Sequence, residues 1–186
     1  MILPRFRRTP DRRTIAALYG AIVAQARLPA FYGRYAVPDT VLGRFDMVVL
    51  HAALLVLRLR GSQPMHALGQ GVFDAFCRDM DDNLREMGVS DIGVPREMRR
   101  LAEAFYGRTR AYEAALAADG DEALVAALAR NVYSGAAAPV AAPALADYVR
   151  AAASMLAGQD DAALKRGAAR FPEPDGFAVT AARAAE

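Results

Sequence analysis

Apolar residues recur at three- and four-residue steps along most of the chain, and this spacing places them on one face of an α-helix. One stripe is especially regular and consists of Phe73, Phe76, Cys77, Met80, Leu84 and Met87. Similar stripes run through residues 15–26, 96–118, 122–133, 144–157 and 160–169. Trp is absent and β-branched runs are rare. The pattern predicts an all-α protein.

The segment 40–60 is apolar nearly all round between residues 47 and 59, so we expect this helix in the middle of a bundle. Its polar exceptions lie seven residues apart along one line: Arg44, His51 and Arg58. Because a charge near a core needs a partner, we expect this basic seam to face the carboxylates of residues 74–86. His51 by itself is typical of a hydrogen-bonded core histidine.

At 186 residues the chain has the length of one domain. We predict a single-domain bundle of about six to eight helices over residues 14–170. Residues 1–13 are expected to form a flexible basic arm, and residues 171–186 a loose tail.

Composition narrows the classes of function. The apolar fraction of 54% is raised by alanine, and the formal net charge of +2 is too small to indicate a nucleic-acid binder. We expect no apolar run to reach the ~18–20 residues of a membrane span. The N-terminus lacks the apolar stretch of a secretory signal. The single cysteine, Cys77, lies on an apolar stripe and is interpreted as a core residue in a reducing compartment.

The polar side of residues 73–87 is densely charged: Asp74, Arg78, Asp79, Asp81, Asp82, Asn83, Arg85 and Glu86. Opposite charges follow one another at four-residue steps, which predicts a ladder of ion pairs along the helix. Each such pair stabilises a helix by only ~0.2–0.5 kcal/mol. Stability alone is therefore a weak reason for the ladder, and we interpret it as a surface that receives a partner.

The sequence does not match the common motifs for binding metal ions or phosphate groups. A calcium-binding loop starting at Asp79 would need Gly and Glu where the chain has Leu84 and Ser90. The pair Asp81-Asp82 lacks the third aspartate of the motif that isoprenoid synthases use. The two histidines are not one helical turn apart, as a zinc site of the zincin type requires. No glycine-rich phosphate loop is present. A helical enzyme with a metal held by carboxylates from distant positions remains an alternative.

The arm contains five arginines, interleaved with apolar residues: Arg5, Arg7, Arg8, Arg12 and Arg13. It is either a frayed terminus or a contact for anionic lipid or ribosomal RNA. The second reading makes a peripheral membrane adaptor a further alternative for the function.

Several motifs occur in unbroken order between residues 15 and 133: Tyr19-Gly20, Phe31-Tyr32, Val37-Pro38-Asp39-Thr40, Gly43-Arg44-Phe45-Asp46-Met47, Leu50-His51, Asp79-Met80-Asp81, Leu84-Arg85-Glu86-Met87-Gly88-Val89, Phe105-Tyr106-Gly107-Arg108 and Arg130-Asn131. In these motifs the chain resembles the ubiquinol–cytochrome c chaperone family.

The resemblance implies a helical, non-enzymatic assembly factor without a cofactor, which holds newly made cytochrome b while ubiquinol–cytochrome c reductase is assembled. Family members of mitochondria act with a small partner protein near the ribosome exit. The bias toward arginine and alanine is typical of a bacterial protein, which we expect in the cytoplasm, at the inner face of the membrane.

A set of aromatic and charged side chains is expected to contact the client. The aromatic residues would serve as anchors and the charged ones would pair with polar loops. The candidate residues are Phe31, Tyr32, Arg44, Asp46, Asp79, Asp81, Asp82, Arg85, Glu86, Phe105 and Tyr106.

Overall fold

The computed structural model describes residues 10–134 and 140–177, and the regular structure within these two ranges is entirely helical. The helices are α1 (Arg12–Ala26), α2 (Pro29–Gly33), α3 (Val41–Arg58), α4 (Gln63–Glu86), α5 (Val94–Ala117), α6 (Glu122–Asn131), α7 (Ala142–Ala157) and α8 (Asp161–Lys165). A 3₁₀ turn follows at Pro174–Gly176. The prediction of an all-α bundle of about six to eight helices is confirmed.

Local sequence determines where these helices begin and end. The Thr40 hydroxyl accepts a hydrogen bond from the Gly43 N–H at 3.1 Å, which caps α3. Proline stands in the first turn of α2, α4, α5 and α7, where its missing N–H has no partner to lose. After α4, Gly88 has a φ of +83°, and the Val89 N–H bonds the Leu84 carbonyl. This Schellman-type turn stops α4 abruptly.

Helix α3 is the centre of the bundle, as its sequence predicts. It packs against α1, α4, α5 and α7, and eleven of its 18 residues are buried. Helices α4 and α5 form a long antiparallel hairpin beside it, and α6 and α7 complete the other side. Neighbouring helices cover α3 on nearly every side, and its apolar side chains are therefore buried all round the helix.

The segment Arg12–Gly33 has the length and composition of a membrane span, with a hydropathy of 1.2. This finding differs from the expectation that no apolar run is long enough. In the structure the segment is divided into α1 and α2, and α1 buries Leu18, Ile22 and Ala26 against the bundle. Only 22% of its most apolar window is buried, and a single segment of this kind near the N-terminus is weak evidence for a membrane span.

The expected loose tail does not begin at Phe171, because residues 171–177 pack on the bundle. The Tyr35 hydroxyl donates to the Pro174 carbonyl at 2.5 Å, and Arg34 pairs with Asp175 at 2.9 Å. Residues 178–186 lie outside the described part of the chain. So do residues 1–9 of the basic arm. The last two residues of the arm, Arg12 and Arg13, are the first two residues of α1.

His51 is a hydrogen-bonded core histidine, which confirms the interpretation from the sequence. It is fully buried in α3. Its Nδ1 lies 2.8 Å from the Met47 carbonyl and its Nε2 lies 2.7 Å from the Tyr148 hydroxyl. Burial lowers the pKa of His51 from 6.5 to about 4. The ring is therefore neutral in the folded protein at neutral pH.

This burial predicts acid lability. Unfolded His51 takes up a proton as the pH falls below 6.5, whereas folded His51 does so only near 4, so stability is lost between these values. The loss from pH 7 to pH 5 is about 2 kcal/mol for this residue. We expect His51→Gln to flatten that part of the profile in urea unfolding. The exposed His66 provides the control His66→Gln, which should keep the original profile. Parallel profiles for the original chain and His51→Gln would contradict the assignment.

Two glycines test the packing of the N-terminal half. A Cβ on Gly43 would lie 2.0 Å from the Pro38 backbone carbonyl, whereas a Cβ on Gly20 meets nothing within 4 Å. We expect Gly43→Ala to destabilise the fold by about 1–3 kcal/mol through overlap. Gly20→Ala, in the middle of α1, should stabilise it by about 0.5–1 kcal/mol. Thermal and urea unfolding measure both changes, and equal effects of the two substitutions would refute the close approach.

Candidate functional site

The charged ladder of α4 forms only in part. Arg85 pairs with Asp81 one turn earlier, at 2.7 Å, and also pairs with Asp91 beyond the helix. The two other pairs predicted at this spacing, Asp74–Arg78 and Arg78–Asp82, do not form. Asp74 accepts a hydrogen bond from Gln70, and Arg78 has no ion pair within the described residues. The ladder is therefore a local clamp at the end of α4.

Asp79 belongs to the packing between α1 and α4. Its carboxylate accepts a hydrogen bond from the Tyr19 hydroxyl at 2.6 Å. Burial raises the pKa of Tyr19, and the hydrogen bond to Asp79 adds to the effect. The side chain of Asp79 is therefore occupied inside the bundle, unlike those of Asp82 and Glu86, which are exposed and have no bonding partner among the described residues.

The predicted basic seam does not face the ladder, so that prediction is wrong. Arg44 pairs with Asp39, just before α3, at 2.7 Å. Arg58 reaches the opposite end of the bundle, where it pairs with Asp161 at 2.7 Å. His51 lies between them and bonds no carboxylate. Each member of the line has its own partner on a different element.

Two of the four expected aromatic anchors are core residues. Phe31 and Phe105 are 0% and 1% exposed, so neither reaches an external partner in this structure. Tyr32 is half-buried, donates to the Ala26 carbonyl at 2.7 Å and lies under the Arg44 guanidinium. Tyr106 is 40% exposed and rests on Phe73. Tyr32 and Tyr106 therefore remain accessible candidates.

Asp46 is also internal, which corrects its placement on the client surface. Its side chain is 3% exposed and accepts from Arg108 of α5 at 2.5 Å. Burial raises the pKa of Asp46, and the charge and hydrogen bond of Arg108 oppose that rise. The pair connects α3 to α5 beside Phe45, over whose ring the guanidinium lies at 5.8 Å. Arg108 is a structural partner that sequence spacing does not indicate.

Most of the remaining candidates come together at one end of the bundle. The rings of Phe45 and Phe76 lie 6.1 Å apart. Because α3 and α4 are antiparallel neighbours, the start of α3 lies beside the last two turns of α4. The Tyr19–Asp79 bond attaches the middle of α1 to this part of α4. The residues gathered there are Tyr32, Arg44, Asp79, Asp81, Asp82, Arg85 and Glu86.

This end also carries exposed apolar side chains, which the spacing of apolar residues along the sequence does not indicate. Ile92 is 93% exposed and Met87 is 62% exposed, both at the turn between α4 and α5. Val41 and Leu42, in the first turn of α3, are 75% and 55% exposed. The apolar stripe predicts that Met87 faces inward, but α4 ends at Glu86 and the chain turns before Met87 can face the core. Four of the seven large hydrophobics exposed in the described residues thus share one end.

Two open hollows lie at this end. One, of about 460 Å³, is lined by Arg27, Pro29, Tyr32, Gly33, Asp39 and Arg44. The other, of about 350 Å³, lies between α4 and α5 and is lined by Cys77, Arg78, Asp81, Asp82 and Met98. Both combine charged groups with apolar walls. That combination suits a polypeptide better than a small molecule, because neither hollow encloses its contents.

Cys77 is half-buried and packs against the core. Burial raises the pKa of its thiol, and the nearby Asp74 adds to the effect. A raised pKa keeps the thiol protonated and weakens it as a nucleophile. No group of three or more His, Cys, Asp or Glu side chains within residues 10–134 and 140–177 is placed to share a metal ion.

These features define an all-helical domain in which most of the exposed large apolar side chains of the described residues lie at one end, beside exposed carboxylates. Residues 34–171 match the family model described as ubiquinol–cytochrome C chaperone, so the chain belongs to that family. The structure is similar to the crystal structure of the Cbp3 homolog from Brucella abortus, with 41% sequence identity and a TM-score of 0.81. The match covers 89% of this chain and 92% of that one. No curated protein sequence matches.

The Asp46–Arg108 pair predicts a pH-dependent loss of stability. Arg108→Ala leaves a buried carboxylate without its partner, which costs about 3–5 kcal/mol at neutral pH. The difference from the original chain should shrink as the pH falls, because protonated Asp46 no longer needs a cation. Urea unfolding at pH 7 and at mildly acidic pH measures both effects.

The exposed pair Arg100–Glu97 provides the control. Arg100→Ala should change the free energy of unfolding by less than about 1 kcal/mol at both pH values. Equal losses for Arg108→Ala and Arg100→Ala would contradict the role given to the buried pair.

Proposed function

We propose that this protein is a non-enzymatic chaperone that binds newly made cytochrome b and promotes the assembly of ubiquinol–cytochrome c reductase. The observation that carries the proposal is the family match over residues 34–171, together with a fold shared over 89% of the chain. A chaperone role in the assembly of this reductase follows from the family. Cytochrome b as the client is the proposed refinement.

The surface chemistry supports a protein client. Cytochrome b is a set of apolar helices joined by polar loops, so a binding partner needs both apolar and charged groups. One end of the bundle offers both, through exposed Met87 and Ile92 beside the free carboxylates of Asp82 and Glu86. Tyr32 and Arg44 border the same end and extend the surface toward α2.

The enzyme alternative has less support. Catalysis at a carboxylate site needs several acidic side chains that converge on one point. Here Asp46 is bound to Arg108, Asp79 is bound to Tyr19, and Asp81 is bound to Arg85. These carboxylates face different neighbours, so the arrangement favours a binding surface over a reaction centre.

We place the protein in the cytoplasm, at the inner face of the membrane, where a membrane client becomes accessible after synthesis. The basic arm, residues 1–13, would supply a loose contact with anionic lipid or with the ribosome. A small partner subunit is part of the proposal, since the family resemblance implies one.

Deletion of the gene tests the proposed function. We expect loss of assembled ubiquinol–cytochrome c reductase, measured by native gel and by quinol oxidation, while cytochrome b messenger RNA stays at its normal level. The reason is that the client lacks a holder after translation. Reintroduction of the original gene should restore assembly, and so should Gly20→Ala, which changes only an exposed helix position. Normal reductase in the deletion strain would refute the proposal.

A further inference from the structure

The turn between α4 and α5 presents two apolar side chains within an acidic surround. We call this surface the acidic tip, and it consists of Asp81, Asp82, Glu86, Met87, Asp91 and Ile92. Residues 74–100, which include the first turns of α5, contain seven carboxylates and five arginines, although the whole chain carries a formal charge of +2. The tip is therefore a local negative region on a weakly positive protein, with Ile92 almost completely exposed at its end.

The tip is preorganised. The Ser90 carbonyl accepts hydrogen bonds from the N–H groups of both Gly93 and Val94, at 2.7 and 3.0 Å. Arg85 joins Asp81 on the helix to Asp91 in the turn. The backbone thus holds Ile92 outward before any partner arrives. Fixing a surface in its bound shape reduces the entropy lost on association.

Two carboxylates of the tip have no internal role. Asp82 and Glu86 are exposed and take part in no hydrogen bond or ion pair with the described residues. Asp82 also lines the hollow of about 350 Å³ beside Met98. A cationic side chain that enters this hollow would meet the carboxylates of Asp81 and Asp82, which outnumber the single arginine of the lining, Arg78, while its aliphatic stem lies on Met98.

We propose that the acidic tip binds the Lys- or Arg-flanked end of an apolar helix of a membrane-protein client, an inference that rests on the proposed function. Membrane helices combine an apolar span with an excess of Lys and Arg at their cytoplasmic ends. Met87 and Ile92 contact the first apolar turn, and Asp82 and Glu86 pair with the cations. Charge and hydrophobicity thereby select the same end of the same helix.

Other occupants fit less well. An anionic lipid surface would be repelled by the carboxylates of the tip. A second copy of this chain docked tip to tip would place those carboxylates opposite one another across a two-fold axis. A cationic, apolar helix end satisfies both kinds of group on the tip.

A pair of carrier fusions tests the inference. A short helix of Leu and Ala is fused to a soluble carrier and ends in three lysines in one version and in three glutamates in the other. We expect the purified full-length protein to bind the lysine version at least about tenfold more tightly, as measured by fluorescence anisotropy. Raised salt should reduce this difference, because exposed charges are screened.

Variants of the tip separate its two contributions. Asp82→Asn combined with Glu86→Gln should weaken binding of the lysine version about fivefold and remove most of its salt dependence. Ile92→Ser should weaken binding about tenfold and leave the salt dependence unchanged. Both changes are at exposed positions, and far-UV circular dichroism checks that the fold is retained.

Matched controls come from surfaces away from the tip. Asp119→Asn combined with Glu122→Gln neutralises two exposed carboxylates at the other end of α5, about 36 Å away. Met155→Ser removes an apolar side chain of α7 that is 42% exposed. Both controls should bind the lysine version like the original chain.

Equal binding of the two fusions, or unchanged binding by Ile92→Ser, would overturn the inference. So would a dimer in equilibrium sedimentation that Ile92→Ser dissociates, because the tip would then be covered by a second copy. The gene deletion tests the proposed function separately. Loss of reductase in the deletion strain together with failure of these binding tests would reject only the inference about the acidic tip. Normal reductase in the deletion strain would reject the proposed function itself.

Discussion

The buried imidazole of His51 constrains the arrangement of the whole bundle. A carbonyl can only accept, so Nδ1–H must donate to Met47 and Nε2 must accept from the Tyr148 hydroxyl. The Tyr148 oxygen is then free to accept from Gln25, whose second N–H donates to the Pro172 carbonyl. One set of donor directions satisfies every polar group in this network of hydrogen bonds. Because an unpaired polar group in this core would cost about 1–3 kcal/mol, the network fixes α1, α7 and the C-terminal segment in rotation about α3.

The sequence predicts those parts of the fold that depend on one helix at a time. Periodic apolar positions identify the helices, and the apolar circumference of residues 47–59 identifies the central one. Capping groups such as Thr40 and turn residues such as Gly88 are also local signals. The family resemblance added an expected function. It also indicated seven charged and aromatic residues that the structure gathers at one end of the bundle.

What the sequence does not predict depends on pairs of residues far apart along the chain. Arg108 lies 62 residues from Asp46, and Asp161 lies 103 residues from Arg58. The expected seam failed because a seven-residue step drifts about 20° around a straight helix, and long arginine side chains reach different elements at its two ends. Phe31 is buried because its ring packs against His51 and Tyr148, which are distant from it in sequence. The exposure of Ile92 is not predicted by the sequence, because it follows from the shape of the turn between α4 and α5.

The energetics of the acidic tip indicate that it does not hold a client alone. Complete burial of Met87 and Ile92 would contribute about 1.5–3 kcal/mol each, and two exposed ion pairs would add at most about 1 kcal/mol each. Association itself costs about 4–15 kcal/mol. Stable holding therefore requires a wider surface, and Val41 and Leu42 provide exposed apolar area at the same end of the bundle. A weak contact at the tip that is strengthened only when a helix also reaches the start of α3 would favour clients with an extended apolar span. Such a client would still be released easily once its helix packs elsewhere.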